Sequence, residues 1–152
     1  MAAKVKLEGF RELEKALREL PKSTGKATLR RVARGALEPL AARAAALAPE
    51  RTGRLGFSIA VSEKRTRRAR KEEGKRPDGI TMSMGPAAGL GTLNYAAFDE
   101  FGTIDTPPQP YMRPAWDAGA SGALDYVKEN LAAEIGKSAD RLARKKAKAA
   151  GG

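Results

Sequence analysis

The sequence predicts an α+β domain with two N-terminal helices, a small mainly antiparallel sheet carrying a long basic arm, and a C-terminal helix. Three observations lead there. Apolar residues recur at spacings of three and four before Pro49 and again from Leu124 to Leu142. Between these stretches the period changes to two, with Leu55, Phe57, Ile59 and Val61 on one side of the chain. A dense basic run separates that alternation from a second one, Ile80, Met82 and Met84. A period near 3.6 is the mark of an amphipathic helix and a period of two that of a strand with one buried face.

Leu7, Phe10, Leu13, Leu17 and Leu20 form the first stripe, giving a helix near 8–20 that Pro21 stops. Ser23 or Thr24 can cap a second helix near 23–48, whose stripe runs through Leu29, Val32, Ala36, Leu37, Leu40, Ala44 and Leu47. Gly35 and Pro39 inside it predict a kink or break near residue 38. The alanines between Ala41 and Ala46 leave a smooth flank that another backbone can approach closely. Strands follow near 55–62 and 79–85, joined by about 16 residues, too many for a tight hairpin turn. A further strand is expected near 90–96, because two strands alone are marginal. The last helix, near 112–147, has the stripe Leu124, Val127, Leu131, Ile135, Ser138 and Leu142, with one polar position, and ends in a basic tail at 141–152. The whole reads as a single domain over 1–150, with the basic arm at 64–79.

Composition narrows the chemistry. Of 152 residues none is Cys or His, which removes thiol nucleophiles, disulfides, an imidazole base and the common zinc ligands. No cofactor, metal or catalytic residue is expected, and no apolar run is long enough for a membrane span. Leu, Ile, Val and Phe number only 26, so the predicted core is thin and contact with neighbouring subunits is expected. The net charge of +11 is the remainder of opposed patches. Residues 1–63 carry +6, residues 64–76 another +6, residues 77–140 carry −6, and Arg141 to Lys148 add +5. Such patches suit docking between subunits and also binding of a polyanion.

Five of the eight aromatic residues, Tyr95, Phe98, Phe101, Tyr111 and Trp116, fall in one window with Pro107, Pro108, Pro110 and Pro114. That density predicts a shaped loop whose aromatics plug the core and meet another subunit, with Trp116 in the core. Tyr95, Phe98 and Phe101 can share one side of a helical turn, leaving Asp99 and Glu100 on another. Glu100 can pair with Arg113 or with an arginine of the next subunit. Pro114 suits a first helical turn with Arg113 at its start.

Three pieces stand in order: Ala48-Pro49-Glu50-Arg51-Thr52-Gly53-Arg54-Leu55, Tyr95-Ala96-Ala97-Phe98-Asp99-Glu100-Phe101-Gly102-Thr103, and Pro110-Tyr111-Met112-Arg113-Pro114-Ala115. Together with helices on the matching sides, they resemble the neck and tail-completion (head–tail joining, tail-component) proteins of tailed bacteriophages. The chain departs from the pattern at Gly56-Phe57, where a polar or basic residue is common. The resemblance implies a structural protein of the virion neck, assembled in the bacterial host cytoplasm and without enzymatic activity. It implies a homo-oligomeric ring, a hexamer by the symmetry of the tail, between the tail terminator and the head connector, with genomic DNA passing through. Subunit-interface residues would then be Arg51, Thr52, Gly53, Arg54, Tyr95, Phe98, Glu100, Phe101, Gly102, Thr103, Tyr111 and Arg113. Arg65, Arg67, Arg68, Arg70 and Lys71 of the arm would dock on DNA or on a neighbour. A tail terminator ring is the alternative within the neck. In a different class stands a basic nucleic-acid-binding protein using residues 64–76 and 141–148 on phosphates.

Overall fold

The computed structural model of the protein describes residues 10–49, 54–63, 70–71, 74, 79–87 and 93–152. The element order is α1 (Phe10–Glu19), α2 (Lys22–Leu47), α3 (Arg54–Ser58), β1 (Ile59–Ser62), β2 (Ser83–Pro86), α4 (Leu93–Phe101) and α5 (Met112–Ala150). This is an α+β arrangement, mostly helical. The long helices α2 and α5 form an antiparallel pair that is the most extensive contact in the fold. No described helix is long and apolar enough to cross a membrane.

Small residues let that pair approach closely. Ala44 and Ala115 are fully buried in one cluster, with Ala48, Leu55, Ala96 and Tyr111 around them. A Cβ on Gly119 would stand 2.9 Å from Leu40, and one on Gly35 would run into the Tyr126 ring. A second cluster at the other end joins Val32, Leu131 and Ile135, covered by Leu13, Leu17 and Leu20 of the α1 segment. Among the described residues six of the twelve buried apolar side chains are alanine, so the core there is as thin as the composition implies.

The buried stripe of α5 carries one polar position, and α2 answers it. Ser138 and Thr28 are both buried and their hydroxyls lie 2.7 Å apart. Thr28 donates to the Thr24 carbonyl at 2.9 Å, so Ser138 is the donor to Thr28. Arg31 in turn donates to Ser138 at 3.1 Å and pairs with Glu134 at 3.1 Å. The hydroxyl chain thus satisfies both buried oxygens, as burial of polar groups requires.

Several expectations are corrected. Of the kink or break expected near residue 38, the break is absent: α2 is continuous through Gly35 and Pro39, with Pro39 on its exposed side. The strand near 55–62 is shorter: residues 54–58 are helical and only Ile59–Ser62 is extended. Leu55 and Ser58 are buried at a spacing of three, Ser58 Oγ donates to the Leu55 carbonyl at 2.7 Å, and Phe57 is 93% exposed. Gly56 lets this turn press on the alanine flank of α2, since a Cβ there would lie 3.1 Å from the Ala45 carbonyl oxygen. The second strand begins at Ser83 rather than near 79, and pairs antiparallel to β1 with Val61 opposite Met84. The strand near 90–96 is not formed at 93–96, which belong to α4, while residues 88–92 lie outside the described ones. Leu124 is 45% exposed and drops out of the expected stripe, which runs from the half-buried Val127 through Leu131, Ile135 and Ser138. Trp116 is half exposed, because the buried face of α5 at that end consists of the small Ala115 and the preceding Tyr111.

Candidate functional site

The richest constellation joins α4 to the start of α5. The α4 helix buries Ala96 and Glu100, four positions apart, and leaves Tyr95, Phe98 and Phe101 at 65%, 51% and 66% exposure. The chain then turns at Gly102, whose backbone N–H donates to Phe98 at 2.7 Å. Gly102 has φ +76°, and a Cβ there would sit 2.9 Å from Pro108 N and Thr106 O, so glycine alone fits without strain. Thr103 Oγ1 accepts the Thr106 N–H at 3.1 Å, and the Thr103 N–H donates to the Thr106 carbonyl at 2.9 Å. The prolines carry the chain back until Gln109 N–H reaches the Asp99 carbonyl at 2.7 Å.

Glu100 closes this loop on the first turn of α5. Its Oε2 accepts the backbone N–H groups of Tyr111 at 2.8 Å and Met112 at 2.9 Å. Its Oε1 accepts the Arg113 N–H at 3.1 Å and the Arg113 Nε at 2.9 Å. A further Arg113 nitrogen donates to the Glu100 carbonyl at 2.9 Å, and the guanidinium lies 5.0 Å from the centre of the Phe101 ring. A carboxylate therefore caps the helix N-terminus, where unpaired N–H groups and the dipole favour negative charge. Burial pushes the Glu100 carboxyl up, but the hydrogen bonds from Tyr111, Met112 and Arg113 outweigh it and hold the group below its ordinary range. Tyr111, fully buried, donates its hydroxyl to the Ala96 carbonyl at 3.2 Å. Its own burial, then the nearby charges of Glu100 and Asp99, push its hydroxyl up to about 12.

The chemistry of the arrangement follows from saturation. An ionised carboxylate has about four acceptor positions, and all four on Glu100 are filled by protein donors. A metal or a substrate proton would have to displace one of these donors. Among the described residues no group of three or more acidic, His or Cys side chains could hold a metal ion. The clamp holds a shape, and the shape it displays is a row of exposed aromatics with the fully exposed Ile104 beyond it.

Arg54 is exposed at the start of α3, while Arg51, Thr52 and Gly53 lie outside the described residues. Arg65, Arg67 and Arg68 also lie outside them, and Arg70 and Lys71 are helical and exposed. Glu100 pairs within its own chain, with Arg113. Of the aromatic window only Tyr111 plugs the core. The sequence reading missed the Thr28–Ser138–Arg31–Glu134 network, although Ser138 as the polar position of an apolar stripe was its signal. It also missed a shallow groove of about 370 Å³ where Met82, Met84, Met112 and Trp116 meet. No family model, curated protein or solved structure matches this chain.

Proposed function

We propose that this chain is a structural subunit of a tailed-phage neck, completing the tail and joining it to the head connector as a ring around the DNA channel. The reading rests on the resemblance of three sequence elements to tail-completion proteins, which also places completion ahead of a terminator. Hexameric copy number, virion location and the lack of enzymatic activity belong to the same proposal. One structural observation supports it most: Glu100 is saturated by donors from Tyr111, Met112 and Arg113, and so presents Tyr95, Phe98 and Phe101 outward on a fixed frame. Exposed aromatics on a rigid support are the composition of a protein interface rather than of a reaction centre. A thin, alanine-rich core fits a subunit that gains stability on assembly.

The test is the assembly state of the full chain with and without that row. Wild-type protein should form closed rings by negative-stain microscopy and melt at temperatures that rise with its concentration. The variant Phe98→Asp/Phe101→Asp should stay monomeric while keeping its helical circular dichroism. A stable monomer whose melting is independent of concentration would overturn the ring. Phage lacking this gene should accumulate unjoined heads and tails.

A further inference from the structure

The last turns of α5 carry a row of cations. Arg141, Arg144, Lys145 and Lys148 stand at i, i+3, i+4 and i+7, and so lie along one side of the helix; Lys137, four residues earlier, continues the row. All five are exposed. Glu134 anchors the near end, accepting Lys137 at 3.0 Å and Arg31 of α2 at 3.1 Å. Arg141, Arg144, Lys145 and Lys148 make no ion pair among the described residues, although Asp140 is the neighbour of Arg144 one turn away. A helix C-terminus offers about half an elementary negative charge, far less than four unpaired cations.

Geometry leaves the row accessible. Ala44 packs with Ala115, Leu40 faces Gly119 and Thr28 bonds Ser138, so α2 begins level with about residue 144 of α5. The final turn and a half of α5 projects past it. From Lys137 to Lys148 the row spans about 17 Å, a length over which one strand of a duplex presents about five phosphates.

We propose that this row binds the phosphate backbone of duplex DNA without regard to sequence. Residues 137–150 contain no aromatic residue for stacking on the bases of a single strand, and no Asn or Gln to read base edges. Phosphate contact is the interaction the row is equipped for. The acidic surface of a second copy fits it less well. Among the described elements the longest comparable row of acids is Asp125 and Glu129, two against five. The inference does not rest on ring assembly and survives its failure.

The test titrates the full chain onto fluorescent duplexes of about 20 base pairs, in two unrelated sequences, across salt from about 50 to 200 mM. The variant Arg141→Ala/Arg144→Ala/Lys145→Ala/Lys148→Ala is compared with Arg11→Ala/Lys15→Ala/Arg43→Ala/Lys128→Ala, which removes the same charge from scattered exposed positions. The row variant should lose at least ~100-fold in affinity and flatten the slope of log K against log salt by about 3.6. The scattered variant should lose less than ~5-fold, and Arg141→Lys/Arg144→Lys should bind as wild type does. Equal losses in the two alanine variants would reduce the effect to net charge and overturn the proposal. Unchanged DNA binding with lost self-association would overturn it in favour of a second copy.

Discussion

Arg113 donates its Nε to Glu100 Oε1 at 2.9 Å across thirteen positions of chain, while another of its nitrogens reaches the Glu100 carbonyl at the same distance. The glutamate is 6% exposed and the arginine 57%, so a buried acid is held by a base that also faces water. Two of the three motif elements are thereby one structural unit: the second supplies the cap, the third supplies the helix it caps. The consequences can be measured.

Glu100→Ala removes the acceptor of three backbone N–H groups and of the Arg113 side chain. Water replaces part of that loss at the rim, so the expected destabilisation is about 2–3 kcal/mol. Urea unfolding followed by circular dichroism measures it. A change below about 0.5 kcal/mol would mean that the cap adds nothing to the fold.

The same carboxylate sets an acid limb. Its folded-state pKa lies below the ordinary value of 4.5, because the donors from Tyr111, Met112 and Arg113 outweigh its burial. A depressed carboxylate contributes stability that is complete above its unfolded value and lost as pH falls through its folded value. Melting temperature should therefore drop below about pH 4.5 more steeply for wild type than for Glu100→Gln. Parallel curves for the two proteins would assign the acid limb to other groups.

Tyr111 supplies an alkaline limb of opposite sign. With its hydroxyl pushed up to about 12, the folded protein retains a proton that the unfolded chain releases near 10. Its contribution is complete below about pH 10 and lost as pH rises towards 12. Ultraviolet titration should show one tyrosinate forming near 12, absent in Tyr111→Phe. That variant should also lose about 1 kcal/mol with the bond to the Ala96 carbonyl.

Thr28 and Ser138 should be coupled. Each single alanine substitution takes the shared contact away and leaves Thr28 only its bond to the Thr24 carbonyl or Ser138 only the Arg31 donor, while the double variant removes both hydroxyls. A double-mutant cycle should yield a coupling of about 1–2 kcal/mol. Additive losses would mean that Arg31 alone satisfies Ser138.

Gly102→Ala should cost about 1–3 kcal/mol, since it forces a side chain into a left-handed turn and against Pro108 and Thr106. Loosened aromatics would accompany it, read as faster quenching of the half-exposed Trp116 on the adjoining helix.

Much of the helical frame was legible because its signals are local. The stripe through Leu29, Val32, Ala36 and Leu40 and the one through Leu131, Ile135 and Ser138 each follow the helical period, and both helices stand within a few residues of the expected bounds. Pro114 at the start of α5 was readable from residue type and place, and Arg113 as one of two possible partners for Glu100. Leu55 to Val61 was misread because two patterns overlap there. Residues 55, 57, 59 and 61 alternate as in a strand, yet 55 and 58 are the positions that become buried. Gly56 decides between them only when the Ala45 backbone is beside it.

By itself the sequence determined the two long helices and the first one, that the core would be thin, and that charge would gather in separate patches. These follow from residue type and spacing, which act within a turn or two of chain. Only the tertiary structure decided which aromatic would be buried, that Glu100 would turn inward to cap its own α5, and that Ser138 would find Thr28. Those outcomes join residues eleven to one hundred and ten positions apart. A buried polar group is stable only where a partner from another element meets it, and no local pattern records that meeting.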